Sequence, residues 1–200
     1  MIEVEIKAKL SNPDNIRERF KTSNGKYIVS LHHEDTYFNM PENLRDFRKT
    51  DEALRIRKSI EYEGELESSE NKINYYLTYK GKKLDSLTKT RKELEISVNS
   101  GEIMKDLLNS LGFREIITVV KERELYKVHY KDKVIIALID YIPILDQYFI
   151  EVELITESTE NIENARDLLF EFLISLNINK EDSIRKSYLE LIIEEKNIKI

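Results

Sequence analysis

The chain contains no cysteine, and its 200 residues include only three histidines, His32, His33 and His129. Without cysteine there is no disulfide, no thiolate nucleophile, no zinc–thiolate site and no iron–sulfur cluster. Three scattered histidines do not make an imidazole metal site. Any metal must therefore sit on oxygen, which points to Mg²⁺ or Mn²⁺. No apolar run approaches the length of a membrane span, and the N-terminus opens on an acidic strand rather than on the basic and apolar regions of a secretory leader. The expectation is a soluble, cytoplasmic protein with no membrane partner. Positive charge is not in excess either. Thirty-two Lys and Arg stand against 38 Asp and Glu, for a net charge of −6, which argues against nucleic acid as a partner.

What the chain does have is charge in alternation. In Met1 to Leu10, Glu3, Glu5 and Lys7 fall on one side of an extended segment and Ile2, Val4 and Ile6 on the other, because side chains on a strand alternate faces with period 2. The pattern returns along the sequence. Arg55 and Arg57 share a face within 53–62; Arg91, Glu93 and Glu95 share one within 90–98, opposite Leu94, Ile96 and Val98; Lys121 and Arg123 share one within 114–130; Glu151 and Glu153 share one within 147–155. Further strands are expected at 26–38, bent near the two histidines, at 73–80, turning at Gly81, and at 134–141. Residues 63–72 form an acidic insertion read as a long hairpin loop.

Helices punctuate these strands. Ser11 or Asn12 caps a first helix with Pro13 at its opening position. Ile103, Met104, Leu107, Leu108 and Leu111 mark a second, stopped by Gly112. Residues 160–176 and 182–195 read as two more. With 40 % hydrophobic residues and no linker, the economical reading is one α+β domain over residues 1–200, with about eight strands joined mostly by hairpins.

The two faces of such a sheet differ in kind. One is apolar, with helices available to cover it. The other gathers the charged positions, with Lys80 and Asp140 joining them. A merely solvated face would mix in neutral polar residues, whereas pairs of like charge on single strands repel unless something of opposite sign lies between them. Eight antiparallel strands can close into a barrel, and closing it with the charged face inward makes a polar tunnel. Converging guanidinium and ammonium groups call for a polyanion, and arginine forks suit phosphate oxygens. Carboxylates in the same volume make sense with divalent cations between acid and phosphate.

The run Glu3-x-Glu5-x-Lys7 resembles the signature of the CYTH, or triphosphate tunnel metalloenzyme, superfamily. The similarity continues through Asp35-Thr-Tyr37-Phe38, Ala53-Leu-Arg55-Ile-Arg57, Leu77-Thr-Tyr-Lys80-Gly81, Arg91-Lys-Glu93-Leu-Glu95, Leu111-Gly112-Phe113, Val120-Lys121-Glu-Arg123, Asp140, Glu151-Val-Glu153 and Ser187-Tyr188. The segments around Asp35, Leu111 and the terminal Ser-Tyr look most like the class IV adenylyl cyclase branch. The resemblance implies an eight-stranded antiparallel closed β-barrel, the triphosphate tunnel, with covering helices. It also implies a metal-dependent enzyme, either a cyclase that makes cyclic AMP and pyrophosphate from ATP or a hydrolase of tripolyphosphate, thiamine triphosphate or nucleoside triphosphate. A non-catalytic polyphosphate- or nucleotide-binding module is the alternative of another class, and a homodimer is plausible by the same resemblance.

Carried over residue by residue, the resemblance gives Glu3, Glu5, Glu151 and Glu153 to the metal, with Glu93, Glu95 and Asp140 as helpers. Lys7, Arg55, Arg57, Lys80, Arg91, Lys121 and Arg123 go to the triphosphate, and Glu3, Glu5, Lys7 and Asp140 to catalysis. Glu93 and Glu95 read equally well as neutralisers of neighbouring arginines, and Asp140 as an ion-pair partner. His32 and His33 read as strand residues, and Tyr188 as either packing or a ligand contact.

Overall fold

The structure, a computed structural model, describes residues 2–23, 25–63, 71–84, 88, 90–156 and 161–198. Eight antiparallel strands run β1 (Ile2–Leu10), β2 (Gly25–Asn39), β3 (Ala53–Tyr62), β4 (Lys72–Lys83), β5 (Arg91–Val98), β6 (Arg114–Tyr130), β7 (Lys133–Ile142) and β8 (Gln147–Thr156). They close in the order β1-β5-β4-β3-β2-β6-β7-β8. The closing seam joins β1 to β5 through Ile2↔Lys92 and Glu3↔Arg91. Four helices complete the fold: α1 (Pro13–Thr22), α2 (Gly101–Ser110), α3 (Ile162–Ser175) and α4 (Tyr188–Glu195). No helix among the described residues is long and apolar enough to cross a membrane.

The first helix starts as its residues dictate. Asn12 is the cap, its side-chain oxygen accepting from the Asn15 N–H at 3.1 Å, and Pro13 takes the first turn, where a missing N–H costs nothing. The stop after α2 is also local. Gly112 adopts φ +85° while the Phe113 N–H reaches back to the Leu108 carbonyl at 3.0 Å, the left-handed ending that glycine adopts without strain.

Outside the barrel, α1 and α3 cover β1, β6, β7 and β8 with Ile16, Phe20, Leu169, Phe172 and Leu173, packed on Val4, Ile6, Ile139 and Val152. A second cluster joins Leu108 of α2 and Phe47 of the β2–β3 connection to Phe38, Leu54 and Ile56. The third lies at one end of the barrel. There Tyr188 and Ile192 of α4 meet Tyr37, Val119, Ile142 and Phe149, so α4 plugs that end with apolar groups. Each such fully buried side chain contributes about 1.5–3 kcal/mol.

Several elements differ from the sequence reading. The ladder does not turn at Gly81: β4 runs on to Lys83, and a register shift between Lys80 and Lys83 absorbs the glycine as an irregularity against β5. β2 has its shifts at Tyr27/Val29 and Tyr37/Phe38 rather than at the histidines. The last helix starts at Tyr188 instead of Asp182, because Ser187 and Glu190 form a capping box there. Of the apolar side chains along α2 and its C-cap, Leu108 is fully buried and Met104 packs partly on the core, while Ile103, Leu107 and Leu111 are exposed, as are Leu94 and Ile96 of β5. Most of the 63–72 insertion lies outside the described residues.

Candidate active site

The charged alternation faces the barrel interior. Glu5, Lys7, Arg55, Arg91, Lys121, Arg123, Asp140 and Glu151 are all buried, whereas such residues are rarely buried without partners. They surround a cavity of about 950 Å³, whose lining includes Glu3, Glu5, Arg55, Arg57, Lys80, Arg91, Glu93, Glu95, Lys121, Arg123, Glu151 and Glu153. Lys7 and Asp140 stand behind this lining, with Asp140 at 0 % exposure.

Two walls of opposite character meet in the cavity. On the β1–β8 side, the ladder sets Glu5 opposite Glu153 and Lys7 opposite Glu151. Oxygens of Glu3, Glu5 and Glu153 all lie within 4.8 Å of one another. Burial, followed by the charges of Glu3 and Glu5, pushes the Glu153 carboxyl well above its ordinary range. Carboxylates this close repel one another, and a cation between them would relieve that repulsion.

On the other side, β3, β4 and β6 carry most of the cations, and β2 brings Asp35 in among them, so that most have counter-charges of their own. Arg57 donates to Asp35 through Nε at 2.6 Å and Nη2 at 2.8 Å, and Arg55 reaches the same carboxylate at 3.2 Å. Burial alone would raise Asp35, but Arg55 and Arg57 hold it well below the usual carboxylate range. Lys80 donates to Glu93 at 2.5 Å. Thr78 donates to Glu95 at 2.7 Å, and Arg55 stands 3.9 Å from that carboxylate. Arg123 grips Asp140 with two bonds, at 2.6 and 2.5 Å, and reaches Glu151 at 2.6 Å.

Lys121 is the exception. Its nearest carboxylate, Asp140, is 3.9 Å away and already engaged by Arg123 and by the Tyr188 hydroxyl. Burial and the adjacent Arg123 push its ammonium down to about 7, with Asp140 pulling the other way.

The structure thus brings Glu3, Glu5 and Glu153 together and leaves the other candidate ligands elsewhere. Glu151 is against Arg123, Glu93 against Lys80, Glu95 against Thr78 and Arg55, and Asp140 beneath Arg123 and Tyr188. His33 is buried in the barrel, with Nε2 3.0 Å from Ser59 Oγ; burial and Arg57 lower its pKa, keeping it neutral. His32 lies against Glu122, Nδ1 to Oε1 at 2.5 Å. Sequence reasoning quoted Asp35 only as part of a motif and missed it as the counter-ion of two arginines. A usable signal existed, since Asp35 shares its strand face with His33 and Tyr37. It also missed the rim cluster, where Lys83 bridges Asp51 at 2.7 Å and Glu190 at 3.4 Å.

Comparison with known proteins agrees with this architecture. The CYTH domain family matches residues 1–188. A Methanocaldococcus jannaschii protein with the provisional name adenylate cyclase is 39 % identical over 191 residues, covering 96 % of this chain and 98 % of that protein. A Pyrococcus horikoshii protein of solved structure superposes with a TM-score of 0.81 at 35 % identity, over 96 % of this chain and 99 % of that one. A Hippeastrum protein, provisionally an adenylyl cyclase and described as having a dominant triphosphatase activity, has a TM-score of 0.61 over 99 % of this chain and 97 % of its own. At 16 % identity that likeness concerns the fold alone. The chain is therefore an antiparallel tunnel protein, and it belongs to the CYTH family, whose members are generally metal-dependent cyclases or triphosphatases.

Proposed function

We propose that the chain is a metal-dependent enzyme acting on a triphosphate inside the barrel, and that it converts ATP to cyclic AMP and pyrophosphate. The observation that carries this reading is the convergence of Glu3, Glu5 and Glu153 within 4.8 Å, facing an arginine- and lysine-lined wall across one cavity. The carboxylates fit a hard divalent cation: all donors are oxygen, and burial with the charges of Glu3 and Glu5 raises the Glu153 carboxyl, a strain that a bound cation would relieve. Glu3, Glu5 and Glu153 would hold Mg²⁺ or Mn²⁺ there. When bound, such an ion supplies Lewis-acid polarisation of a phosphoryl oxygen and orients the attacking group.

The chain's own residues do the rest. Arg55, Arg57, Lys80, Arg91 and Lys121 bind the phosphates and neutralise charge that develops on the transferring group. Asp35, Glu93 and Asp140 fix their partners, so little reorganisation is needed when substrate enters. Lys121 at about 7 gains a proton as a polyanion approaches. If a ribose 3′-hydroxyl attacks the α-phosphorus, pyrophosphate leaves and cyclic AMP forms; if water attacks the terminal phosphorus, orthophosphate leaves. The provisional name of the M. jannaschii relative supports the first reaction, and the same phosphate-binding residues would serve the second.

Product analysis decides the matter. Purified protein is incubated with ATP, tripolyphosphate and thiamine triphosphate, each with Mg²⁺, with Mn²⁺ and with chelator. Cyclic AMP with pyrophosphate supports the cyclase. Orthophosphate released only with metal makes the chain a triphosphatase. Tight triphosphate binding without turnover makes it a binding module and sinks the enzyme reading.

A further inference from the structure

Lys7 closes the charged run of β1, yet its ammonium is not on the cavity wall. Only 1 % exposed, its Nζ lies 3.9 Å from the centroid of the Tyr188 ring and 5.8 Å from that of Phe149. Tyr188 does line the cavity. Its hydroxyl donates to Asp140 Oδ2 at 2.8 Å, its ring stands 5.4 Å from Lys121 Nζ, and its edge packs at 5.1 Å on Phe149. Its backbone is fixed as well. Tyr188 is the first residue of α4, behind a capping box in which the Glu190 N–H bonds Ser187 Oγ at 3.2 Å and the Ser187 N–H bonds Glu190 at 2.6 Å. Lys83 holds Glu190 from the barrel rim at 3.4 Å.

A ring face carries the negative part of the aromatic quadrupole, and a buried, desolvated ammonium is held there more strongly than at the surface. A carboxylate already gripped by Arg123 gains a third donor from the phenol. One side chain on the plug helix therefore touches three charged groups from β1, β6 and β7.

We propose that Tyr188 is a positioning residue. Its ring face holds the Lys7 ammonium and its hydroxyl fixes Asp140, and through Asp140 the Arg123 guanidinium, so that docking of α4 sets one cation of the cavity lining, Arg123, and one directly behind it, Lys7, both of which act on a bound triphosphate. The role rests on the triphosphate reading above. It separates the two parts of tyrosine: phenylalanine keeps the ring face and loses the hydroxyl, whereas leucine keeps apolar bulk and loses both.

Two measurements test it. In ligand-free protein carrying ¹³Cε-lysine, the Lys7 ε-methylene resonance is expected to be ring-shifted upfield in wild type and Y188F, and to return to an ordinary position in Y188L. In metal-free buffer, Y188L is expected to weaken tripolyphosphate binding about tenfold to thirtyfold and Y188F about threefold or less. In a Lys7→Met background, Y188L should add little more. A residue that only packs would lower the thermal midpoint and cost the same in both backgrounds. A Y188L cost in K7M as large as in the wild-type background, rather than one no greater than that of Y188F, or no ring shift in wild type, overturns the positioning role and leaves the triphosphate reading intact. A wild-type chain that binds no tripolyphosphate overturns that reading and this role together.

Discussion

The two walls of the cavity are built from the same kinds of residue and solve opposite problems. On the β3–β4–β6 wall, most cations are joined to a carboxylate of the protein: Arg55 and Arg57 to Asp35, Lys80 to Glu93, Arg123 to Asp140. On the β1–β8 wall, three carboxylates converge on one another, and the cost appears as a Glu153 carboxyl pushed up by burial, Glu3 and Glu5. One wall is neutralised largely by folding, and the other keeps three carboxyl groups together that a cation could join. On the function proposed above, the pre-paired basic wall would keep its geometry before phosphate enters, whereas the acid wall would need a metal ion to complete it.

The largest expected effect breaks the acid wall. Glu5→Gln should lower metal-dependent turnover on the order of 10²-fold or more, since one of the three carboxylates proposed to hold the ion loses its charge. Tripolyphosphate affinity in chelator should stay the same or rise, because a repelling charge is gone. Full turnover in Glu5→Gln would remove that carboxylate from the metal site.

Next comes removal of one charge from each wall, read by urea unfolding. Arg57→Ala leaves the buried Asp35 with only the longer Arg55 contact, and loss of one partner of a buried pair costs about 3–5 kcal/mol. Adding Asp35→Asn should recover much of that loss. Glu153→Gln, by contrast, relieves repulsion and should be neutral or stabilising by about 1 kcal/mol at neutral pH. Equal losses on both walls would erase the distinction between them.

Much of this was legible in the sequence because β1, β3, β5 and β8 combine strict period 2 with like charges side by side, and no other common arrangement explains both. Which charges meet was not legible. Glu93-x-Glu95 reads like Glu3-x-Glu5, but the ladder sets Lys80 opposite Glu93 and Thr78 opposite Glu95; partner identity lives in the register, which a single strand does not encode. Gly81 looked like a turn because glycine is a turn former, yet pairing of β4 with β5 overrode it. The start of α4 was readable in Ser187-x-x-Glu190 and was hidden by apolar residues upstream such as Ile184. The exposed stripe of α2 shows the limit of periodicity: Ile103, Leu107 and Leu111 repeat at helical spacing, but it is the adjacent face, with Gly101, Met104 and Leu108, that meets the barrel.

A pH-dependent test sharpens the comparison at Lys121, a basic-wall cation whose carboxylate contact, Asp140 at 3.9 Å, is already engaged by Arg123 and Tyr188. Lys121 falls from an ordinary 10.5 to about 7 through burial and Arg123. Between those values the unfolded chain binds a proton that the folded chain does not, so stability should rise with pH across that window, and the penalty should be fully present below it. Lys121→Met removes the group. Its stability relative to wild type should therefore be greatest near pH 6 and shrink as pH rises toward 10, by at most about 4 kcal/mol. Chemical denaturation of both proteins across that range checks the slope. A difference that does not change with pH would mean that Lys121 keeps its proton throughout, and that Asp140, although shared with Arg123 and Tyr188, compensates it as fully as Asp35 compensates Arg57.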